Sequence, residues 1–311
     1  MSGADLAYIG VQLGLSQGSA LGFAIDGRVL KHTHWIEDLD LARSEPALGS
    51  LHARLSQFDK GSVPVLIAGM GVGLFEPAGS WSRGHCPIDP TSLAADLQRA
   101  SLGRRPVFLS PGLSCISPYG APDILRGEEI QAFGLAGQIP RATLLSVPGR
   151  HGKWLRLREG RIERFHTAMT VELHHLLATY SIVGKGWPEK GRTSSDFLTG
   201  LQIGLARSPL TRTAFELRGA VVAGEIDAAQ AGDRAWGLLI GADLADLPDE
   251  VLSEEIVIAG RPETAELYRA GLEATGAIAR IEDPDALAAA GFVRVASAAG
   301  LVDAPDAELV R

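Results

Sequence analysis

Residues 7–30 read AYIGVQLGLSQGSALGFAIDGRVL, and this stretch decides the fold. Two apolar runs, residues 7–13 and 20–25, predict strands, and the segment between them carries the glycine and serine typical of a turn. Asp26-Gly27 is a hairpin signal, so a third strand is predicted directly after it. The chain therefore opens with three consecutive strands joined by tight turns.

The same design recurs in the second half of the chain. The apolar run TLLSVP at 143–148 leads through a glycine-containing turn at 149–153 into a strand that begins at Trp154. Glu159-Gly160 then turns into another strand, at the place where Asp26-Gly27 stands in the first unit. Strand–turn–strand units are common, so this match alone leaves coincidence open.

A second pair of matching segments favours an internal duplication. PVLIAGM at 64–70 and EIVIAGR at 255–261 are both apolar strands that end in Ile-Ala-Gly. The pattern predicts a duplicated α/β protein with a cleft between its halves. We place the halves at 1–138 and 139–311, and the alanine-rich segment near the end predicts a helix that packs back on the first half.

Composition excludes several classes of protein. The chain has 311 residues, 29 basic and 37 acidic, for a net charge of −8, which argues against a nucleic-acid-binding face. Two cysteines cannot form a disulfide framework, and no apolar run approaches the roughly 20 residues that span a membrane. The start MSGADLAYIG lacks the features of a secretory signal, so a cytoplasmic location is expected.

The common nucleotide and metal signatures are absent from the sequence. Gly152-Lys153 continues with Trp154, where a Walker loop has Ser or Thr, and no HExxH motif occurs. His32 and His34 lie on a predicted strand and could share a face. No acidic or cysteine partner is assigned to them, so no metal site is predicted.

The segment from Leu125 to Gly134 predicts a helix capped by Asp123, with Glu128 and Glu129 in its first turn after Arg126. Carboxylates in a first turn complement the helix dipole, which is the structural interpretation. A carboxylate is also a general base, which is the functional interpretation. Spacing alone leaves both open.

The turn from Gly149 to Lys153 carries two cations, Arg150 and Lys153, beside glycines that expose backbone N–H groups. This combination can hold phosphate, and it equally suits a solvated hairpin turn with surface cations. The stretch that follows, Thr170–Leu177, predicts a helix in which His174 has a structural role.

Taken together, in their order and spacing, these stretches resemble the 2-dehydro-3-deoxygalactonokinase family of bacterial sugar-acid kinases. The residues that carry the resemblance are Arg126–Glu129, Pro148–Trp154, Met169–Thr170, Glu172–Leu177, Gly237–Ala242, Ile258–Gly260 and Leu267–Tyr268. The resemblance implies two similar α/β domains of the actin/hexokinase-like, ribonuclease H-like type around a central cleft. It also implies ATP- and Mg²⁺-dependent phosphorylation of 2-dehydro-3-deoxy-D-galactonate to its 6-phosphate.

The resemblance assigns a role to each matching position. Glu128 or Glu129 takes the hydroxyl proton, and Arg126 binds the sugar acid. The nucleotide-binding residues implied are Gly14, Ser16, Gly149, Arg150, Lys153 and Gly260. The expected partner is a small-molecule sugar acid, with neither nucleic acid nor membrane, and a homodimer is one candidate assembly.

The chain departs from the family pattern on the nucleotide side. Gln12 stands where the family's first phosphate loop has aspartate, and Arg150 stands where its second loop has a small threonine. Two alternatives therefore stay open. One is a non-catalytic sugar-acid-binding relative with a degenerate nucleotide site, and the other is a kinase for another sugar acid.

Overall fold

The computed structural model describes residues 5–14, 17–36, 44–59, 61–70, 72–75, 84–147 and 149–302. The strands are β1 Leu6–Leu13, β2 Gln17–Ala24, β3 Val29–Ile36, β4 Val65–Gly69, β5 Gly84–His85, β6 Gln98–Leu102, β7 Arg105–Leu109, β8 Leu113–Ile116, β9 Pro122–Leu125, β10 Arg141–Val147, β11 Gly152–Arg158, β12 Arg161–Ala168, β13 Ile256–Gly260 and β14 Ala279–Glu282. The helices are α1 Ser44–Leu55, α2 Val72–Phe75, α3 Pro90–Ala95, α4 Glu128–Ala136, α5 Thr170–Tyr180, α6 Ser195–Leu205, α7 Leu210–Ala223, α8 Ala228–Ala245, α9 Asp249–Leu252, α10 Pro262–Ala274 and α11 Pro284–Ala298.

The chain forms two compact units that interleave in sequence. Unit 1 comprises the described residues of 1–140, 156–165 and 284–311, and unit 2 those of 141–155 and 166–283. None of the described helices combines the length and the apolar character that crossing a membrane requires.

Unit 1 is built on a six-stranded sheet in the order β3-β2-β1-β4-β7-β6. The first three strands are antiparallel neighbours, as the opening sequence predicts, and β4 runs parallel to both β1 and β7. The second strand begins at Gln17, earlier than predicted. Its carbonyl accepts a hydrogen bond of 2.8 Å from the Gly14 N–H, which closes the turn after fewer residues.

The two faces of this sheet are covered by different helices. Ile9 and Val11 are buried in a cluster with Leu51 and Leu55 of α1. On the other face, the ring of Phe292 in α11 lies where a side chain on Gly10 would stand, with the Cβ only 2.7 Å from the ring. Alternation along β1 therefore produces a three-layered α/β unit.

Helices α4 and α11 of unit 1 pack with their backbones in contact. A Cβ on Gly134 of α4 would lie 2.0 Å from the Leu287 carbonyl oxygen of α11. A Cβ on Gly291 of α11 would lie 1.8 Å from the Ile130 carbonyl oxygen of α4. Only glycine allows the two helix backbones to come this close. The contact fixes the position of α4 against α11.

The second sheet has the order β12-β11-β10-β13-β14, and its strands β10, β13 and β14 lie in unit 2. β10, β13 and β14 are parallel neighbours, and residues 156–165 of the β11–β12 hairpin belong to unit 1. This strand order matches the first five strands of the sheet in unit 1. In both sheets three consecutive strands lie in reverse order, and two later strands follow next to the first of them. The predicted α/β class with a duplicated sheet plan is confirmed.

Candidate functional site

The prediction that Asp123 caps this helix is wrong, because Asp123 lies in β9 and α4 begins at Glu128 after Gly127. The residues before α4 form a turn that requires glycine. Gly127 has φ +103° and its backbone abuts Gly69, since a Cβ on Gly127 would lie 3.2 Å from the Gly69 Cα. Gly69 ends β4 with φ +91°, and a Cβ there would lie 2.2 Å from the carbonyl oxygen of Leu13, the last residue of β1. The turn therefore lies at the carboxyl edge of two parallel strands, where α/β proteins bind ligands.

Glu129 is fully buried in the first turn of α4. One carboxylate oxygen accepts a hydrogen bond of 2.5 Å from the Ser110 hydroxyl, and the other accepts one of 2.5 Å from the Gly127 N–H. Burial, and to a lesser extent the charge of Glu128, raises the pKa of Glu129 to about 7, although the hydrogen bonds from Ser110 and Gly127 act to lower it. Each oxygen of the Glu129 carboxylate therefore has a hydrogen-bond partner that fixes its position.

Glu128 has a different environment from its neighbour. It is half-buried, and its carboxylate accepts a hydrogen bond of 3.0 Å from the backbone N–H of Arg126. Glu128 and Glu129 are thus adjacent carboxylates in unequal surroundings, an arrangement typical of acid–base sites. Arg126 is also half-buried, and its Cγ lies against Gly112.

Replacement of Glu129 by glutamine should change how stability depends on pH. The folded-state pKa of about 7 exceeds the ordinary value of 4.5, so the stabilisation is complete below pH 4.5 and is lost as the pH rises to 7. Urea unfolding at pH 5 and pH 8 should show a wild-type loss of roughly 1.4 kcal/mol per pH unit in this window. Glu129→Gln, which is neutral at both pH values, should lack it.

The control for this measurement is Glu45→Gln, which changes an exposed glutamate of α1 in the same unit. That variant should keep the wild-type pH dependence. Equal slopes for wild type and Glu129→Gln would contradict the raised pKa of Glu129.

Gln12 makes a contact that an aspartate could not make. Its amide Nε2 donates a hydrogen bond of 3.2 Å to the carbonyl oxygen of Gly127, from β1 to the turn before α4. An ionised carboxylate at this position could not donate a hydrogen bond, so its oxygen would face the Gly127 carbonyl oxygen without a hydrogen between them. The departure from the family pattern at this position therefore supports the turn that carries Glu128 and Glu129.

Gln12→Glu tests that contact, because it keeps the length of the side chain and removes the donor. At pH 7 we expect it to lower the free energy of unfolding by about 1–3 kcal/mol. Most of the loss should be recovered near pH 4, where the carboxyl group is protonated and can donate. Unchanged stability at pH 7 would show that the hydrogen bond does not support the turn.

In unit 2, the predicted phosphate turn is tied to the start of α5 through Glu172. The Glu172 carboxylate lies 2.8 Å from His151 Nε2 and 3.9 Å from Arg150 Nη1, and the Glu172 N–H donates to the Arg150 carbonyl oxygen. The Arg150 side chain is exposed. Gly149 is half-buried, and no atom lies within 4 Å of the place where a Cβ would stand.

Lys153 lies just inside the strand that follows this turn. It is buried, and its Nζ donates a hydrogen bond of 2.7 Å to the Thr167 hydroxyl on β12. Gly260 ends β13 and pairs in register with Val147, the last residue of β10. The predicted phosphate turn and the predicted adenosine segment therefore begin at neighbouring strand ends.

A carboxylate that the sequence did not single out organises the interior of unit 2. Asp243 in α8 accepts hydrogen bonds from Trp154 Nε1 at 3.1 Å, from the Thr170 hydroxyl at 3.0 Å and from the Tyr268 hydroxyl at 2.6 Å. Burial raises its pKa against these three hydrogen bonds, which lower it. Asp243 directly follows Gly237–Ala242, one of the segments that carry the family resemblance. This position was the available sequence signal for Asp243.

The site residues predicted from the sequence are thus distributed over both units. Unit 1 brings together Arg126, Glu128 and Glu129, with Gly14 at the end of β1, and unit 2 brings together Gly149, Arg150, Lys153 and Gly260. Ser16 lies outside the described residues. His174 is buried between the rings of Trp187 and Trp236, and burial lowers its pKa to about 4.

The chain is similar to proteins named for one sugar-acid kinase. A 2-dehydro-3-deoxygalactonokinase of Escherichia coli (strain K12) is 35% identical over 172 residues, 55% of this chain and 58% of that protein's length. A Rhizobium meliloti (strain 1021) protein, named a probable 2-dehydro-3-deoxygalactonokinase, is 29% identical over 248 residues, 76% of this chain and 78% of that protein.

A solved structure and a family model extend this likeness over most of the chain. A crystal structure from Sinorhizobium meliloti, assigned to a 2-dehydro-3-deoxygalactonokinase, has a TM-score of 0.81 and 25% identity, covering 94% of this chain and 96% of that one. Residues 14–295 match the model of the family described as 2-keto-3-deoxy-galactonokinase. The predicted resemblance is confirmed, and this chain belongs to the 2-keto-3-deoxy-galactonokinase family, a family of carbohydrate kinases.

Proposed function

We propose that this protein transfers the γ-phosphoryl group of ATP to the terminal hydroxyl of 2-dehydro-3-deoxy-D-galactonate, giving the 6-phosphate. The observation that carries the proposal is the unequal carboxylate pair at the start of α4. Glu128 is half-buried and Glu129 is fixed by Ser110 and Gly127. Phosphoryl transfer to an alcohol requires one base and precise positioning rather than a covalent nucleophile.

Glu128 accepts the proton of the attacking hydroxyl in this proposal, because the side chain has solvent access and Glu129 has none. Glu129 acts as a positioning residue that holds the first turn of α4. Arg126 supplies a cation for the carboxylate of the sugar acid. The protein as a whole carries a net charge of −8, so an anionic substrate needs such a local cation.

The turn from Gly149 to Lys153 fits the phosphates of ATP. Gly149 leaves room for close approach of a ligand, the turn offers backbone N–H groups, and Arg150 and Lys153 add positive charge. Mg²⁺ would accompany ATP as its counterion and neutralise phosphate charge, and the amide of Gln12 would be compatible with it because Mg²⁺ usually keeps several of its waters. Because ATP is the proposed phosphoryl donor, we also propose a cytoplasmic location.

The proposal is tested by measuring ADP release with Mg·ATP and 2-dehydro-3-deoxy-D-galactonate in a coupled assay. We expect turnover that depends on the sugar acid and exceeds ATP hydrolysis in its absence. No turnover above background at high enzyme concentration would overturn the proposal. The alternative of a non-catalytic sugar-acid-binding relative predicts this negative result. The kinase names of the relatives do not favour that alternative.

Substrate choice is tested in the same assay with other sugar acids, above all the gluconate epimer. The described residues supply a cation for a carboxylate but no assigned contact that reads hydroxyl stereochemistry. The galactonate configuration is inherited from the relatives' names. A higher kcat/KM for the epimer would move the proposal to the alternative of a kinase for another sugar acid.

A further inference from the structure

Three side chains with metal-binding atoms meet on the surface of unit 1, far from α4's first turn in sequence. His32 and His34 are two residues apart on β3, so both side chains lie on one face of this edge strand. Asp285 stands in the first turn of α11, which covers that face of the sheet. The carboxylate that the sequence did not assign to the histidines is supplied by the other end of the chain.

The geometry of the cluster is close to that of a metal site. One Asp285 oxygen lies 3.3 Å from His34 Nε2 and the other lies 3.9 Å from His32 Nε2. One candidate ligand atom from each of the three residues lies within 4.8 Å of the others. Zinc bonds of about 2.0–2.2 Å in tetrahedral geometry place ligand atoms roughly 3.3 Å apart, so small side-chain rotations complete the set.

We propose that His32, His34 and Asp285 bind a divalent transition-metal ion, with Zn²⁺ as the preferred ion. Two imidazole nitrogens and one carboxylate oxygen form a donor set that zinc accepts, with water in the remaining position. Mg²⁺ and Ca²⁺ prefer all-oxygen sites, so they should compete poorly. Both histidines are exposed and Asp285 is half-buried, which leaves the ion a path from solvent.

Bound zinc would join the edge strand of the sheet to the last helix of unit 1. His34 and Asp285 are far apart in sequence, so the ion closes a long loop in the folded protein. A ligand that binds only the folded form stabilises it by mass action. The proposed role of the site is therefore to stabilise the fold of unit 1. This role does not depend on the phosphoryl-transfer reaction.

The test uses the untagged full-length protein, stripped with a chelator, and titrates Zn²⁺ by calorimetry against a competing chelator. We expect one Zn²⁺ per chain and a rise in Tm of about 5 °C at saturation. Co²⁺ as a spectroscopic probe should give visible bands of a four-coordinate site. His32→Gln and His34→Gln should each weaken binding on the order of 10-fold or more, and Asp285→Asn should also weaken it.

The control is His52→Gln, which removes an exposed histidine of α1 in the same unit. This variant should bind Zn²⁺ like the wild type. Retention of one tight Zn²⁺ in the His32→Gln/His34→Gln double variant would overturn the proposal, as would wild-type protein that binds no Zn²⁺. Circular dichroism of each variant without metal separates loss of the site from loss of the fold.

Discussion

Glu128→Gln should lower kcat by roughly 10²–10⁴-fold, the range associated with loss of a general base. Glutamine keeps the length of the side chain and can still accept the hydrogen bond from the Arg126 N–H, so the turn before α4 should stay intact. KM for both substrates should change little, because the lost function is proton acceptance rather than binding. Steady-state kinetics with Mg·ATP and the sugar acid measure both quantities.

Two comparison variants make this result specific to Glu128. Glu45→Gln removes a distant exposed carboxylate and should leave kcat unchanged. Glu129→Gln should affect kcat less than Glu128→Gln, since Glu129 is fully buried and hydrogen-bonded through both oxygens. A wild-type kcat for Glu128→Gln together with a large loss for Glu129→Gln would transfer the role of base to Glu129.

Gly291→Ala should lower the free energy of unfolding of unit 1 by about 3 kcal/mol or more, although it adds one methyl group. The new Cβ would lie 1.8 Å from the Ile130 carbonyl oxygen, a backbone atom that cannot rotate away. The helices α4 and α11 would have to separate, which opens the packing on both sides of the contact. Urea unfolding followed by circular dichroism measures the loss.

Gly219→Ala is the matched control, because Gly219 is an exposed glycine within α7 with no atom within 4 Å of its Cβ position. Alanine should stabilise that helix by up to about 1 kcal/mol, the ordinary effect of replacing glycine in a helix. The same substitution should therefore have opposite signs at the two positions. A stabilising effect of Gly291→Ala would show that α4 and α11 are not in backbone contact.

Local signals in the sequence were sufficient for the repeated strands, but not for the order of the strands in the sheets or for the partners of the site residues. The turns at Asp26-Gly27 and Glu159-Gly160, with the two Ile-Ala-Gly strand ends, predict the repeated sheets because turn chemistry and alternation act over a few residues. The small sheet β5-β8-β9 was not predicted, since strands of two to four residues carry too little periodicity.

Contacts between distant parts of the chain leave no mark in local patterns. Ser110 holds Glu129 across 19 residues, Gln12 reaches Gly127 across 115, and Thr170 reaches Asp243 across 73. Each of these partners is an ordinary polar residue in its own segment. Their roles follow only from the sheet order, which brings the strand ends together.

The packing of α11 on α4 has a consequence for how the protein is made. A ribosome releases α4 early and α11 only after all of residues 141–283, so the first 140 residues emerge without the helix that covers Gly134 and Gly10. Unit 2 is complete in sequence before unit 1 is. During most of its synthesis, a nascent chain therefore lacks the helix that covers this face of its first sheet, and unit 1 can complete its packing only after α11 has emerged.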